Sequence, residues 1–209
     1  MYFLESFMLN TRLINRDQLQ ELIHKQEALN IKYGGVNWRD GFSFGQAKLA
    51  MLAEVGEFLD EVEQNWHWYK SKPNYHKQKA LFELIDVVHF ALMIALYHDS
   101  VDDLIKWSTK EYLDDRSFTH VSSSDKSDDF ATAIGYLLAS EDDAVFLESI
   151  LNIINSGAAL IGGDFDENAI YHSYIMKNQR NEERVSKGVL VGAYDKSKET
   201  DLVYDPKVR

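Results

Sequence analysis

A chain of 209 residues with only two prolines, Pro73 and Pro206, leaves almost its whole length free of the residue that most firmly stops a helix. Proline removes a backbone donor and its ring clashes with the preceding turn, so its scarcity permits long helices everywhere except near position 73 and at the end. Apolar residues at 45% and charged residues at 27% lie in the ordinary globular range. The length suits one substantial hydrophobic core. One all-α domain, a helical bundle spanning residues 1–209, is therefore expected.

The formal charge of −12 narrows the choice of partners. A protein that grips a nucleic-acid backbone needs clustered Lys and Arg, so a nucleic-acid polymer is not expected. An acidic protein binds small phosphate anions when metal cations neutralise both sides, which directs attention to the carboxylates. With no cysteine there is no disulfide, thiolate zinc site or thiol nucleophile. Met1 to Leu13 is interrupted by Glu5 and has no basic lead, unlike a signal peptide. The longest apolar stretch, about Val87 to Tyr97, contains His89 and is too short to span a bilayer. A soluble, cytoplasmic chain with no membrane partner is the expectation.

Helical spacing of Leu19, Leu22, Ile23 and Leu29, after a capping box at Asp17 and Gln20 and before Gly34-Gly35, predicts a first helix. Leu49, Leu52, Val55, Phe58, Leu59 and Val62 predict a second over about Ser43 to Tyr69. A third, about Tyr75 to Tyr97, is densely apolar in its second half and must be buried on most sides. A shorter helix is expected over Val101 to Leu113, and Ser122 to Asp129 reads as an exposed loop. Further helices are expected near Asp128 to Leu138, Asp143 to Ile161 and Asp166 to Arg184, the last beginning acidic and ending basic as the helix dipole favours. Residues Val185 to Arg209, charged and without helical period, are expected to form a mobile tail that orders against a ligand or partner.

Two acid pairs stand out. Glu54 and Glu57 are three apart in the second helix, and Glu83 and Asp86 are three apart in the third, so each pair projects from one helical face. Helices joined by a short connection run antiparallel and can converge all four carboxylates. Such a cluster is tolerated when hard cations share it, and carboxylate oxygens suit Mg²⁺ and Mn²⁺. Glu pairs at this spacing are also common on solvated helix faces. Asp86-x-x-His89 loosely matches the acid-x-x-His pattern of di-iron bundles, but no second in-phase copy occurs in an apolar helix. His89 can equally be a hydrogen-bonded core histidine.

Glu54-Val-Gly-Glu57 followed by Glu83-Leu-Ile-Asp86 resembles the Glu-x-x-Glu, Glu-x-x-Asp signature of the all-α NTP pyrophosphatase superfamily. The blocks "NWRDGFSFGQAKLAMLAEVGEFLDE", "WHWYK" and "ELIDVVHF" resemble its dimeric dUTPase branch in order and spacing. "KQEALN" resembles that family's base-recognising helix, and "YIMKNQRNEERVSKG" its late phosphate-binding segment, so the likeness runs from about Gln26 to Lys196. It implies a metal-dependent hydrolase that splits dUTP, and also dUDP, and that assembles as a homodimer. It places Glu54, Glu57, Glu83 and Asp86 at the Mg²⁺ positions, where Mn²⁺ can substitute, with Glu57 also orienting the attacking water. Gln26 and Asn30 would meet uracil, with Trp66, Trp68 and His89 near the base and sugar. Lys177, Asn178, Asn181 and Arg184 would meet phosphates, with Tyr194 and Lys196 in the closing tail.

The tail "YDKSKETDLVYD" lacks the Trp and the acidic-Asn run of the family, and the segment Ser117 to Asp129 is compact for it. A MazG-like or dCTP-directed pyrophosphatase would share the carboxylates but not Gln26, Asn30 and the Trp66 block. A catalytically silent helical interaction protein would have no need of all four acids.

Overall fold

The computed structural model describes residues 13–62, 75–109, 126–140, 143–162, 165–166 and 168–207. These form α1 (Arg16–Gly34), α2 (Phe44–Glu61), α3 (Lys77–His98), α4 (Val101–Ser108), α5 (Lys126–Ala139), α6 (Asp143–Ile161) and α7 (Ala169–Ser186), with short 3-10 turns at Trp38–Gly41, Val189–Val191 and Lys196–Lys198. There is no strand among the described residues, so the fold is all-α.

The helices sit close to where periodicity placed them, and the differences lie at their ends. The α1 capping box is made by Asn15 and Gln18, each side chain bonding the other's backbone N–H at 2.9 Å, rather than by Asp17 and Gln20. Asn15 has the extended backbone an N-cap requires. The helix stops at Gly35, whose φ of 78° lies where only glycine is at ease. Helix α2 ends at Glu61, earlier than expected, because Val62 turns extended and goes under the core at 1% exposure. Helix α5 begins at Lys126, so the last residues of the expected Ser122 to Asp129 loop are helical. Helix α7 begins at Ala169, leaving Asp166 outside, where its carboxylate accepts the Asn168 N–H at 3.0 Å.

Helix α3 is the centre. By length and composition it is apolar enough to cross a membrane, yet 72% of its most apolar stretch is buried inside the fold. Counted as one continuous helix, it exceeds the Val87 to Tyr97 stretch that the apolar run alone suggests. It packs on α1, α2, α6 and α7, and α5 packs on α6. Leu81, Leu84, Ile85, Leu92 and Ile94 are wholly buried along it. Burial of each such side chain contributes about 1.5–3 kcal/mol. Gly157 lets α6 approach α3: a Cβ there would stand 2.5 Å from Leu84 Cδ1.

The direction of α2 against α3 follows from its end contacts. At the start of α2, Phe44 stacks on Tyr97 at 5.4 Å and meets His98 edge-on, both at the end of α3. At the end of α2, Glu61 pairs with Lys79 and with His76, at the start of α3. The two helices are antiparallel. Arg39 secures the connection before α2, bonding the Leu96 carbonyl at 2.8 Å and the Glu27 carboxylate at 3.0 Å.

Candidate active site

The antiparallel pairing brings the acid pairs of α2 and α3 face to face. Carboxylate oxygens of Glu54, Glu57 and Glu83 lie within 4.8 Å of one another, close enough to share one cation. Asp86 is not part of that triangle as expected. It turns instead to Lys177 of α7, Oδ2 to Nζ 2.5 Å. An ammonium in α7 can capture it because Asp86 is the deepest of the acids and its burial favours the nearest full charge.

The cluster is electrostatically strained. Burial, followed by repulsion from Asp86, Glu57 and Glu83, raises the Glu54 pKa to about 7. Burial and then Asp86 raise that of Glu83, and burial raises that of Asp86 against the opposing pull of Lys177. A set of mutually repelling, part-buried oxygens is the donor chemistry that hard divalent cations relieve. The residues therefore fit a metal, and it is Glu54, Glu57 and Glu83, with Asp86 alongside, that would hold it.

Three residues after Asp86 on α3, His89 enters a buried polar network. His89 Nδ1 lies 2.7 Å from Gln26 Oε1, and the Tyr174 hydroxyl donates to that same oxygen at 2.7 Å. Gln26 Nε2 donates to Asn30 Oδ1 at 2.8 Å. The His89 and Tyr174 rings stack with centroids 4.1 Å apart. Burial, reinforced by Lys177, lowers the His89 pKa to about 3, so the ring is neutral at physiological pH. His89 is thus bonded into the Gln26 network and is not among the grouped acids, which gives no support to the di-iron reading. Gln26 and Asn30, the residues expected to meet uracil, are both buried, and they are bonded to each other. Trp66 and Trp68 lie outside the described residues.

The α7 face carries the expected phosphate residues, of which Lys177, Asn181 and Arg184 are engaged by protein groups. Lys177 holds Asp86. Arg184 Nη1 donates to Asn181 Oδ1 at 2.8 Å, and its other nitrogens grip the Glu199 carboxylate at 2.8 and 2.7 Å. Arg180 adds a third contact to Glu199 at 3.1 Å. These hydrogen bonds, Arg184 foremost, hold the Glu199 pKa down at about 2. Asn178 is buried one helical turn after Tyr174, and its Nδ2 has no hydrogen-bond partner among the described residues. Tyr194 also bonds Glu199, whereas Lys196 is exposed in its own 3-10 turn. Farther along, Tyr204 is buried, its N–H donating to Gln78 Oε1 at 2.9 Å and its hydroxyl to Asp166 at 2.7 Å.

Tyr174, Arg180 and Glu199 were not singled out by sequence reasoning. Tyr174 precedes Asn178 by one helical turn, a spacing that does mark a shared face, but its partner Gln26 is 148 residues away. Arg180 and Glu199 carry no signal beyond their charge.

No individually curated protein matches the chain. A match to the dUTPase family covers residues 18–189, well over half of the length, and takes in both acid pairs, the Gln26 network and the whole of α7. With an all-α architecture and paired acidic helices of the kind already described, the chain belongs to the all-α dUTPase family, hydrolases of nucleoside triphosphates.

Proposed function

We propose that this dUTP diphosphatase reads uracil in the buried pocket of Gln26, Asn30 and His89 and cleaves the phosphate chain at the carboxylates of α2 and α3. The observation that carries the reading is adjacency. A neutral hydrogen-bonding pocket and an acidic cluster lie one helical turn apart on α3, as a neutral base and a charged phosphate chain require.

Bound by Glu54, Glu57, Glu83 and Asp86, a divalent cation, Mg²⁺ or in its place Mn²⁺, supplies charge neutralisation for the phosphates and acidifies water. Glu57, the exposed member of the triangle, orients the attacking water and accepts its proton. Hydrolysis forms one P–O bond to water and breaks the α–β anhydride, giving dUMP and pyrophosphate, and no covalent bond to the protein is needed. Lys177 and Arg184 exchange their carboxylate partners for phosphate oxygens, helped by Asn178 and Asn181. Tyr194 and Lys196 bring the tail over the substrate. Trp66 and Trp68 complete the base and sugar side. The enzyme takes dUDP as well, works as a homodimer in the cytoplasm, and needs neither nucleic-acid polymer nor membrane.

The test is turnover of each nucleoside triphosphate in turn with Mg²⁺, products separated by chromatography, with Glu57→Ala alongside. Selective formation of dUMP and pyrophosphate, abolished by chelator and in the variant, is expected. Cleavage of dCTP instead, or of several bases alike, would leave the cation chemistry standing and sink the uracil pocket.

A further inference from the structure

Along α7 the side chains that touch the rest of the site come in a fixed order. Tyr174 stacks on His89 in the Gln26 network, Lys177 three residues later holds Asp86, and Arg180 and Arg184 follow. By helix rise the two arginines stand about 4.5 and 10.5 Å beyond Lys177. A nucleotide with its base in the Gln26 network and its scissile phosphate at the acids has the same order, and its outer phosphates run toward Arg180 and Arg184.

Both arginines already hold an oxyanion. Arg184 Nε donates to Glu199 Oε1 at 2.8 Å, Arg184 Nη2 to Oε2 at 2.7 Å, and Arg180 Nη1 to the same Oε2 at 3.1 Å. Asn181 Oδ1 accepts from Arg184 Nη1 at 2.8 Å, which fixes the guanidinium with its Nε and Nη2 edge toward the anion. Three N–H groups thus converge where Glu199 has two oxygens to offer, and a terminal phosphoryl group has three.

The charges are mismatched in the same sense. One carboxylate faces two guanidinium groups, while the other acids of α7, Glu182 and Glu183, are paired with Lys32 and Lys187. A phosphoryl dianion balances both arginines, as a single carboxylate does not. With side-chain exposures of 17% and 18%, the arginines are shielded enough from solvent for that difference to count. The tail is tied down again at Tyr204, so Glu199 can withdraw without the release of the whole segment.

We propose that Arg180 and Arg184 form a seat for the phosphoryl groups that leave as pyrophosphate, and that Glu199 fills this seat as an internal competitor until substrate displaces it. The inference rests on the reading that Arg184 meets phosphate. It adds Arg180 as a second phosphate-binding residue and gives Glu199 a function besides tying down the tail.

The experiment measures kcat and KM for dUTP with Mg²⁺, and the inhibition constants of pyrophosphate and dUMP, in the full chain and in Glu199→Gln, Arg180→Gln and Arg184→Gln. Glu199→Gln is expected to lower both KM and the pyrophosphate constant about fivefold, as removal of a competing occupant does. Arg180→Gln is expected to raise both about tenfold, the effect of one lost charged hydrogen bond, with kcat changing less than KM. The dUMP constant stays put in both, because dUMP lacks the outer phosphates. In the wild type, the ¹³C signal of the Glu199 carboxylate is expected to shift when pyrophosphate and Mg²⁺ are added.

Arg184→Gln with unchanged KM and pyrophosphate inhibition defeats the phosphate reading of α7 and this inference with it. If Arg184→Gln weakens both but Glu199→Gln leaves KM unchanged or raises it, Glu199 is a structural tie and this inference alone falls. A dUMP constant that moves as much as that of pyrophosphate overturns the assignment to the outer phosphates. A Glu199 signal unmoved by saturating pyrophosphate overturns the exchange without any variant, so the test survives a variant that fails to fold.

Discussion

The acid triangle and the Gln26 network are near neighbours on α3, yet they are built on opposite physical terms. In the triangle, part-exposed charges repel one another and raise the Glu54 pKa to about 7, so the region is unsatisfied by itself and needs a cation from outside. In the network, the groups are neutral and buried and bond mostly to one another, with only selected atoms left over. In the proposed function, reactivity is drawn from charge in the first and base selectivity from hydrogen bonding in the second. Damage to either should therefore leave a different signature.

The sharpest division comes from removing one charge. Glu54→Gln or Glu83→Gln should lower the turnover of every accepted nucleotide by about a thousandfold, measured as pyrophosphate release, because the cation loses a ligand regardless of base. A loss of only a few-fold would place the chemistry elsewhere. Asn30→Ala comes next. It should lower kcat/KM for dUTP by roughly 10–100-fold, the effect of one lost hydrogen bond and an orphaned base atom, while dCTP changes little. Equal losses for both nucleotides would erase the distinction between the regions.

A smaller effect should appear in stability. The folded Glu54 pKa lies above its ordinary value of 4.5, so its contribution is fully present below that value and is lost as pH rises through about 7. The metal-free protein should therefore weaken between these pH values, and Mg²⁺ should restore it. The Mg²⁺-induced rise in Tm should be larger at pH 8 than at pH 5, at about 2–4 °C for each kcal/mol recovered. An equal rise at both pH values would separate the cation from this carboxylate. The least effect is expected from Glu199→Gln. It weakens the grip of Arg180 and Arg184 on the tail, shifting Tm by about 1–2 °C and speeding amide hydrogen exchange around Lys196 to Tyr204.

How much of this was legible in the sequence depended on the range of the interaction. The α6 boundaries at Asp143 and Ile161 and the central place of α3 followed from apolar spacing, which is local. The acid pairs were visible because three-residue spacing on a helix is also local. Asp86 turning to Lys177 was not, since the ion pair joins positions far apart in the chain and depends on how α7 packs against α3. Glu199 was hidden for a similar reason: a lone glutamate in a charged tail differs from its neighbours only by meeting two arginines of α7. The early end of α2 was missed because Val62 fits a helical stripe as well as it fits the extended turn it adopts.

One feature of α3 reaches beyond either region. Asp86 and His89 are separated by three residues of an unbroken, deeply buried helix, an axial offset of about 4.5 Å. In the proposed function such a rod acts as a ruler: it holds the proposed place of base recognition at a set distance from the proposed place of phosphate cleavage. Side chains at the reading end can be exchanged without moving the cutting end, so the identity of the base and the position of cleavage can vary independently on the same scaffold. An insertion of one residue between Asp86 and His89 would instead rotate one end by about 100° relative to the other and put the two out of register.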